Sequence, residues 1–389
     1  MKVVTIVGAR PQFIKASALS RELRKRHEEI LVHTGQHYDY AMSGVFFDGL
    51  DIPSPEVNLA VGSGSHGQQT GAMLQGIEQV LLSTRPDRVV VFGDTNSTLA
   101  GALAASKLHV PVVHVEAGLR SFNRRMPEEV NRVIADHLSD LLLCPSETAV
   151  SNLTAEGITK NVHLVGDIML DVINGAKPLV SVKREALLAR LGLRDRRYLL
   201  ATVHRSENTD DLERLSAILN AFNAVDEPIL FPIHPRARQA ITLANQTLKE
   251  HVRLIEPLGY FEMITLAASA RLVLTDSGGL QKEAFWLGVP CVTLRDETEW
   301  VETVESGWNT LAGASTERIL QAVRSFAPPA SSTPLYGNGT VATKCIDLME
   351  LNGHPVAPLI MGLEEGVSAC RSAAVPPRPA AAAPVAMGR

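Results

Sequence analysis

Arg88-Val89-Val90-Val91-Phe92-Gly93-Asp94-Thr95-Asn96-Ser97 decides the fold. Its apolar run does not alternate with polar residues, so it reads as a strand buried on both faces, the habit of parallel sheets. The run stops abruptly at a glycine, an acid and three small polar residues, and a helical stretch over 97–108 follows. The same unit occurs on either side. Residues 3–7 run into Gly8-Ala9-Arg10-Pro11, and 112–115 run into Glu116-Ala117-Gly118-Leu119-Arg120. Ligands of parallel α/β sheets bind just beyond the carboxyl ends of the strands. One cationic and two acidic strand ends are therefore expected to face one crevice, an arrangement suited to gripping an anion and moving protons beside it.

Further strands are expected over 30–33, 141–144 and 162–165, with helices over 11–26, 67–83, 128–138 and 146–156. Pro11 sits where a helix starts, and Ser146 is positioned as an N-cap. The pattern then restarts, with strands expected over 198–203, 229–233, 252–255, 272–275 and 291–294. The charged stretch 174–195, which contains Pro178, reads as the connection between the halves. The fold class is α/β, with two Rossmann-like domains facing across a cleft: residues 1–172 carry the acidic strand ends and 173–337 form the second domain. The Pro/Ala-rich tail, 352–389, lacks an amphipathic period and is expected to be disordered.

With 389 residues, the chain is long enough for two sizeable cores. A formal net charge of −5 argues against nucleic acid or a membrane surface as the partner. The four cysteines are scattered, without metal-ligand or disulfide-framework spacing, so no metal site is expected and reduced thiols in the cytoplasm are the natural reading. The apolar run at the N-terminus is too short for a signal peptide, and no membrane span is expected.

The chemistry-bearing motifs sit at strand ends. Arg10 and Lys15 flank a strand–turn–helix whose start would attract phosphate, although a plain turn with two surface cations has the same pattern. Asp94 and Glu116 end adjacent strands of one βαβ unit, so the two carboxylates should lie close, and repulsion would leave one of them protonated near neutral pH. The ordinary alternatives are that Asp94 caps the next helix and Glu116 pairs with Arg120. Glu128 opens a helix at Met126-Pro127-Glu128, where an acid also suits the macrodipole. The cationic stretch from Arg120 to Arg125 before it is a candidate for substrate binding. In the second half, His204 and Arg205 follow a strand and would point into the cleft from its opposite wall, and His234 ends the next strand in the same way. Thr275-Asp276-Ser277-Gly278-Gly279-Leu280-Gln281-Lys282-Glu283 is the clearest anion signal there. Its glycines allow close backbone approach, its helix start offers donors, and Glu283 one turn in could accept from a ribose.

Taken together, these motifs resemble the non-hydrolysing UDP-N-acetylglucosamine 2-epimerase family from Met1 to about Met349. The resemblance implies the GT-B fold, with the helix expected at 341–351 crossing back so that 338–351 joins the first domain. It implies removal of the C2 proton with departure of UDP from C1, giving a 2-acetamidoglucal, then re-addition of UDP and protonation from the other face. No nicotinamide, metal or other cofactor is implied. Asp94, Glu116 and Glu128 would be the acid/base groups and His204 the catalytic histidine. Arg10, Lys15, His234, Ser277, Gly278, Gly279 and Glu283 would bind the UDP-sugar. A cytoplasmic homodimer serving cell-surface polysaccharide synthesis is the family expectation. Arg10-Pro11-Gln12-Phe13, 121–129 and 297–302 look closer to the branch with UDP-2,3-diacetamido-2,3-dideoxy-glucuronate 2-epimerases, so that sugar is the alternative substrate. Gln36-His37-Tyr38-Asp39 departs from the pattern of the allosterically regulated members. A UDP-sugar glycosyltransferase of the same fold is a second alternative.

Overall fold

Apolar runs without alternation become the strands of two parallel sheets. The computed structural model describes residues 1–36, 54–330 and 335–352, without the side chains of Arg10 and Leu179. His37-Tyr38-Asp39 and the tail beyond 352 thus lie outside the described residues.

The first sheet comprises β1 (Lys2–Val7), β2 (Glu28–His33), β3 (Val57–Asn58), β4 (Arg88–Phe92), β5 (Val112–Val115), β6 (Leu141–Cys144) and β7 (Val162–Leu164), in the order β3-β2-β1-β4-β5-β6-β7. The second comprises β8 (Leu199–Thr202), β9 (Ile229–Pro232), β10 (Val252–Ile255), β11 (Leu272–Thr275), β12 (Cys291–Thr293) and β13 (Asn309–Leu311), ordered β10-β9-β8-β11-β12-β13. Every residue of β4 is buried, as its composition predicts. Both sheets reverse strand order once, between β1 and β4 and between β8 and β11. Such switch points open a crevice beyond the strand ends. Four motifs stand at these two points: Gly8–Lys15, Gly93–Asp94, His204–Arg205 and Ser277–Glu283.

Helices α1 (Arg10–Leu23), α2 (His66–Thr84), α3 (Asn96–Lys107), α4 (Pro127–Leu138) and α5 (Glu147–Ala155) accompany the first sheet. Ser146 caps α5 by accepting from Ala149 N, as expected. The next helix, α6 (Ile168–Arg190), forms most of the connection expected at 174–195 and has Pro178 inside it. It is helical because its apolar residues have cores to enter at both ends. Val172 and Ile173 join the first sheet's core, whereas Leu187 and Leu188 join the second's. Helices α7 (Ser206–Thr209), α8 (Leu212–Ala224), α9 (Pro235–Leu243), α10 (Tyr260–Ser269), α11 (Gly278–Trp286), α12 (Val301–Glu305) and α13 (Thr316–Ser325) surround the second sheet. The last, α14 (Val341–Leu351), returns to the first sheet and buries Val341, Cys345, Ile346 and Met349 in a core shared with α1 and α6. Two strands escaped the sequence reading: β3, only two residues long, and β13, whose polar Asn-Thr start hides it.

Candidate active site

The turn after β1 is built on glycine because Ser97 Oγ and Thr34 Oγ1 come within 2.0 and 2.2 Å of where a Cβ on Gly8 would lie. Gln12 Oε1 accepts from Gly8 N and Ala9 N, and its Nε2 donates to Phe92 O. These donors are occupied inside the protein, so among the described side chains this turn offers the Lys15 ammonium rather than amides to the cleft. Lys15, one helical turn on, reaches across to pair with Glu116 Oε2.

Asp94 and Glu116 follow neighbouring strands and line the same cleft, as the topology demands. They have separate cationic partners. Asp94 pairs with Arg132 of α4, and Glu116 pairs with Lys15 and, at 3.2 Å, with Lys282 of α11. Burial disfavours the Glu116 charge, but the two ammonium groups outweigh it and hold the carboxyl down at about 2. The expected carboxylate repulsion is thus replaced by separate cation partners. Glu116 also sits at φ 72°, a left-handed conformation that costs a non-glycine residue about 1–3 kcal/mol and tends to occur at functional sites.

The ordinary alternatives for these acids are not what forms. Thr95, not Asp94, caps α3. Arg120 turns away from Glu116 and pairs with Asp136 at 2.6 Å and Glu156 at 2.7 Å. This buried arginine supports the loop from behind, whereas Arg124 and Arg125 of the same cationic stretch are exposed. Glu129 holds the same loop by accepting from Ser121 N and Phe122 N, both at 2.9 Å. Glu128 lines a hollow of about 270 Å³ that adjoins the main cleft and shares Asp94, Arg132, Arg205 and Glu299 with it.

Asp276, wholly buried, organises the opposite wall. It accepts from His204 N at 3.0 Å and Arg205 N at 3.0 Å, and lies 3.3 Å from His204 Nδ1. Burial outweighs this carboxylate, and with Arg205 and His234 nearby the His204 imidazole falls below its ordinary value. His234 is exposed, caps α9 by accepting from Arg236 N at 3.2 Å, and lies with its ring centroid 5.9 Å from that of His204, just outside the cleft lining. Ser277, Gly278, Gly279 and Glu283 do line the cleft. Among the described residues, the N–H groups of Gly278, Gly279 and Leu280 have no acceptor within the protein. Together with the positive end of α11 they form a ready anion site. The Arg205 guanidinium makes no hydrogen bond or ion pair among the described residues, and its Nε is buried. The Arg10 side chain lies outside the described residues.

The cleft holds about 410 Å³ and brings together Lys15, Asp94, Glu116, His204 and the α11 turn. No three His, Cys, Asp or Glu side chains among the described residues gather so as to hold a metal ion, and no helix there is long and apolar enough to cross a membrane.

A family profile described as UDP-N-acetylglucosamine 2-epimerase matches residues 21–350. The chain is 53% identical over 355 residues to a UDP-N-acetylglucosamine 2-epimerase homolog of Methanococcus maripaludis, covering 90% of this chain and 99% of that one. The chain belongs to the UDP-N-acetylglucosamine 2-epimerase family. It is also 48% identical over 359 residues to the UDP-2,3-diacetamido-2,3-dideoxy-D-glucuronate 2-epimerase of Pseudomonas aeruginosa, with 90% and 99% coverage. The crystal structure of Methanocaldococcus jannaschii UDP-GlcNAc 2-epimerase in complex with UDP-GlcNAc and UDP matches with a TM-score of 0.83 at 43% identity, over 90% of this chain and 100% of that one. The paired parallel sheets are the GT-B architecture of this epimerase family.

Four residues in or behind this family member's cleft escaped the sequence reading as site groups: Arg132, Lys282 and Trp300, which line it, and Asp276, buried behind it. Asp276 and Lys282 stand inside the anion motif already recognised. Their partners lie far away in the chain, so spacing carried no sign of their roles.

Proposed function

We propose that the protein is a non-hydrolysing UDP-sugar 2-epimerase that converts UDP-N-acetylglucosamine to UDP-N-acetylmannosamine. The observation that carries this reading is the meeting of acidic groups, an imidazole and unfilled α11 amide donors in one cleft. A cleft base takes the proton from C2, the C–H electron pair forms the C1–C2 double bond, and the C1–O pair leaves with UDP. The unfilled N–H groups of Gly278, Gly279 and Leu280, with Arg205 and Lys15, stabilise the departing diphosphate. UDP then adds back to C1 while an acid delivers a proton to the other face of C2. Asp94, Glu116 and Glu128 are assigned to the proton transfers. His204, positioned by Asp276, stands beside the diphosphate, and Glu283 receives the ribose. Residues 1–172 with 338–351 carry the acids, and 173–337 the nucleotide.

Turnover in deuterated water tests this. Deuterium entering C2 of UDP-N-acetylglucosamine without any acceptor supports it. Unlabelled sugar with no new isomer from either candidate substrate refutes it, and free sugar plus UDP would indicate a hydrolysing enzyme. The second substrate reading is the diacetamido-glucuronate analogue. The Arg205 guanidinium, without a partner among the described residues and suited to a sugar carboxylate, favours assaying it, as does the 48% identical relative of that name. A cytoplasmic homodimer supplying a surface polysaccharide completes the proposal. Sedimentation at assay concentration checks the dimer.

A further inference from the structure

Lys282 is 2% exposed and belongs to α11, on the side of the second sheet. Its ammonium bonds to Glu116 Oε1 at 3.2 Å and to Asp167 Oδ2, both on the side of the first sheet. It also lies 3.5 Å from the centroid of the Trp300 ring. Asp167 is anchored in turn as the N-cap of α6, accepting from Met169 N at 2.9 Å. The charges alternate along a buried chain, Lys15–Glu116–Lys282–Asp167, and Lys282 is its one member from the second sheet's side. Removing either partner of such a buried pair strands a charge. The cation is therefore placed by three contacts, to Glu116, Asp167 and Trp300.

We infer that Lys282 is a positioning residue for the C2 chemistry: it crosses the cleft to clamp Glu116 against Lys15, so that Glu116 is in register only when the two sides of the cleft are together. This rests on the epimerase reading. Glu116 is strained at φ 72°, and one ammonium on each carboxylate oxygen counters its relaxation. Trp300 closes the far side of Lys282 and keeps water from its charge. The charged groups around Glu116 are Lys15 of α1, Lys282 of α11 and Asp167 before α6, with Asp94 and Arg132 lining the same cleft.

The test uses K282M and the charge-balanced K282M/D167N, which leaves the Lys15–Glu116 pair intact and no buried ion unpaired. The double variant carries the measurement should K282M not fold. The expected result is a folded protein whose kcat falls roughly tenfold to a thousandfold, the loss seen when a preorganising charge is removed, with KM nearly unchanged. The acid limb of kcat moves to higher pH, and K282R restores part of the rate. In the unliganded protein, the Glu116 carboxyl carbon, assigned by its absence in E116Q, titrates at higher pH than in wild type. A folded double variant with wild-type kcat, acid limb and Glu116 titration overturns the inference. If wild type turns over neither sugar while the Glu116 titration still shifts, the epimerase reading fails and the clamp stands.

Discussion

Asp94 and Glu116 stand on adjacent strands, yet each has its own cation, and that decides what the pair can do. Asp94→Asn and Glu116→Gln are each expected to lower turnover by about 10²–10⁴-fold, the range for general acid–base groups, while UDP affinity stays within a few-fold. Turnover assays beside UDP calorimetry check this, and near-normal turnover in both variants would refute the assigned roles. Glu116 also makes a pH-dependent contribution to stability. Its carboxyl is held at about 2 against an ordinary 4.5, so the folded state gains from its charge above pH 4.5 and loses that gain as pH falls from there toward 2. At roughly 1.4 kcal/mol per pKa unit, the gain is about 3 kcal/mol. Urea midpoints should therefore show a gap between wild type and E116Q at pH 6 that narrows by pH 3.5; a gap independent of pH would contradict the paired geometry.

At the scale of elements, the start of α11 separates packing from binding. A Cβ on Gly278 would meet Glu299 Oε1 at 2.3 Å and Trp300 Nε1 at 3.2 Å, whereas a Cβ on Gly279 meets only Ser277 Oγ at 4.0 Å. Gly279→Ala is therefore expected to fold with stability within about 0.5 kcal/mol of wild type, and Gly278→Ala to lose about 1–3 kcal/mol by overpacking. If the diphosphate sits on these amides, G279A weakens UDP binding all the same; unchanged affinity would move the anion elsewhere. The strand–turn–helix units were legible because their strands are apolar runs cut off by glycine or a polar or charged residue, a purely local contrast. Helix α6 does connect the halves, but its helical form was not legible because Pro178 and its charges are the local marks of a break. The packing of its two ends into two different cores outweighs them.

Over the whole molecule, α14 returns some 150 residues after α6 to complete the first core. Ile346, with no exposed surface, touches that shared core, and Ile346→Ala is expected to cost about 2–5 kcal/mol in a urea melt. A loss below 1 kcal/mol would mean that the returning helix is not integral to the fold. Residue order was enough for the α/β class, the two Rossmann-like halves and most of the cleft groups. Hydrophobic period and turn chemistry act within a few residues, and parallel sheets always bring their strand ends to one edge. Charge pairing could not be read that way. Arg120 turning to Asp136 and Glu156, Asp276 behind His204, and Lys282 between Glu116 and Asp167 join groups distant in sequence. Each depends on which charges are desolvated together, a choice made only when the two sheets pack and water leaves the space between them.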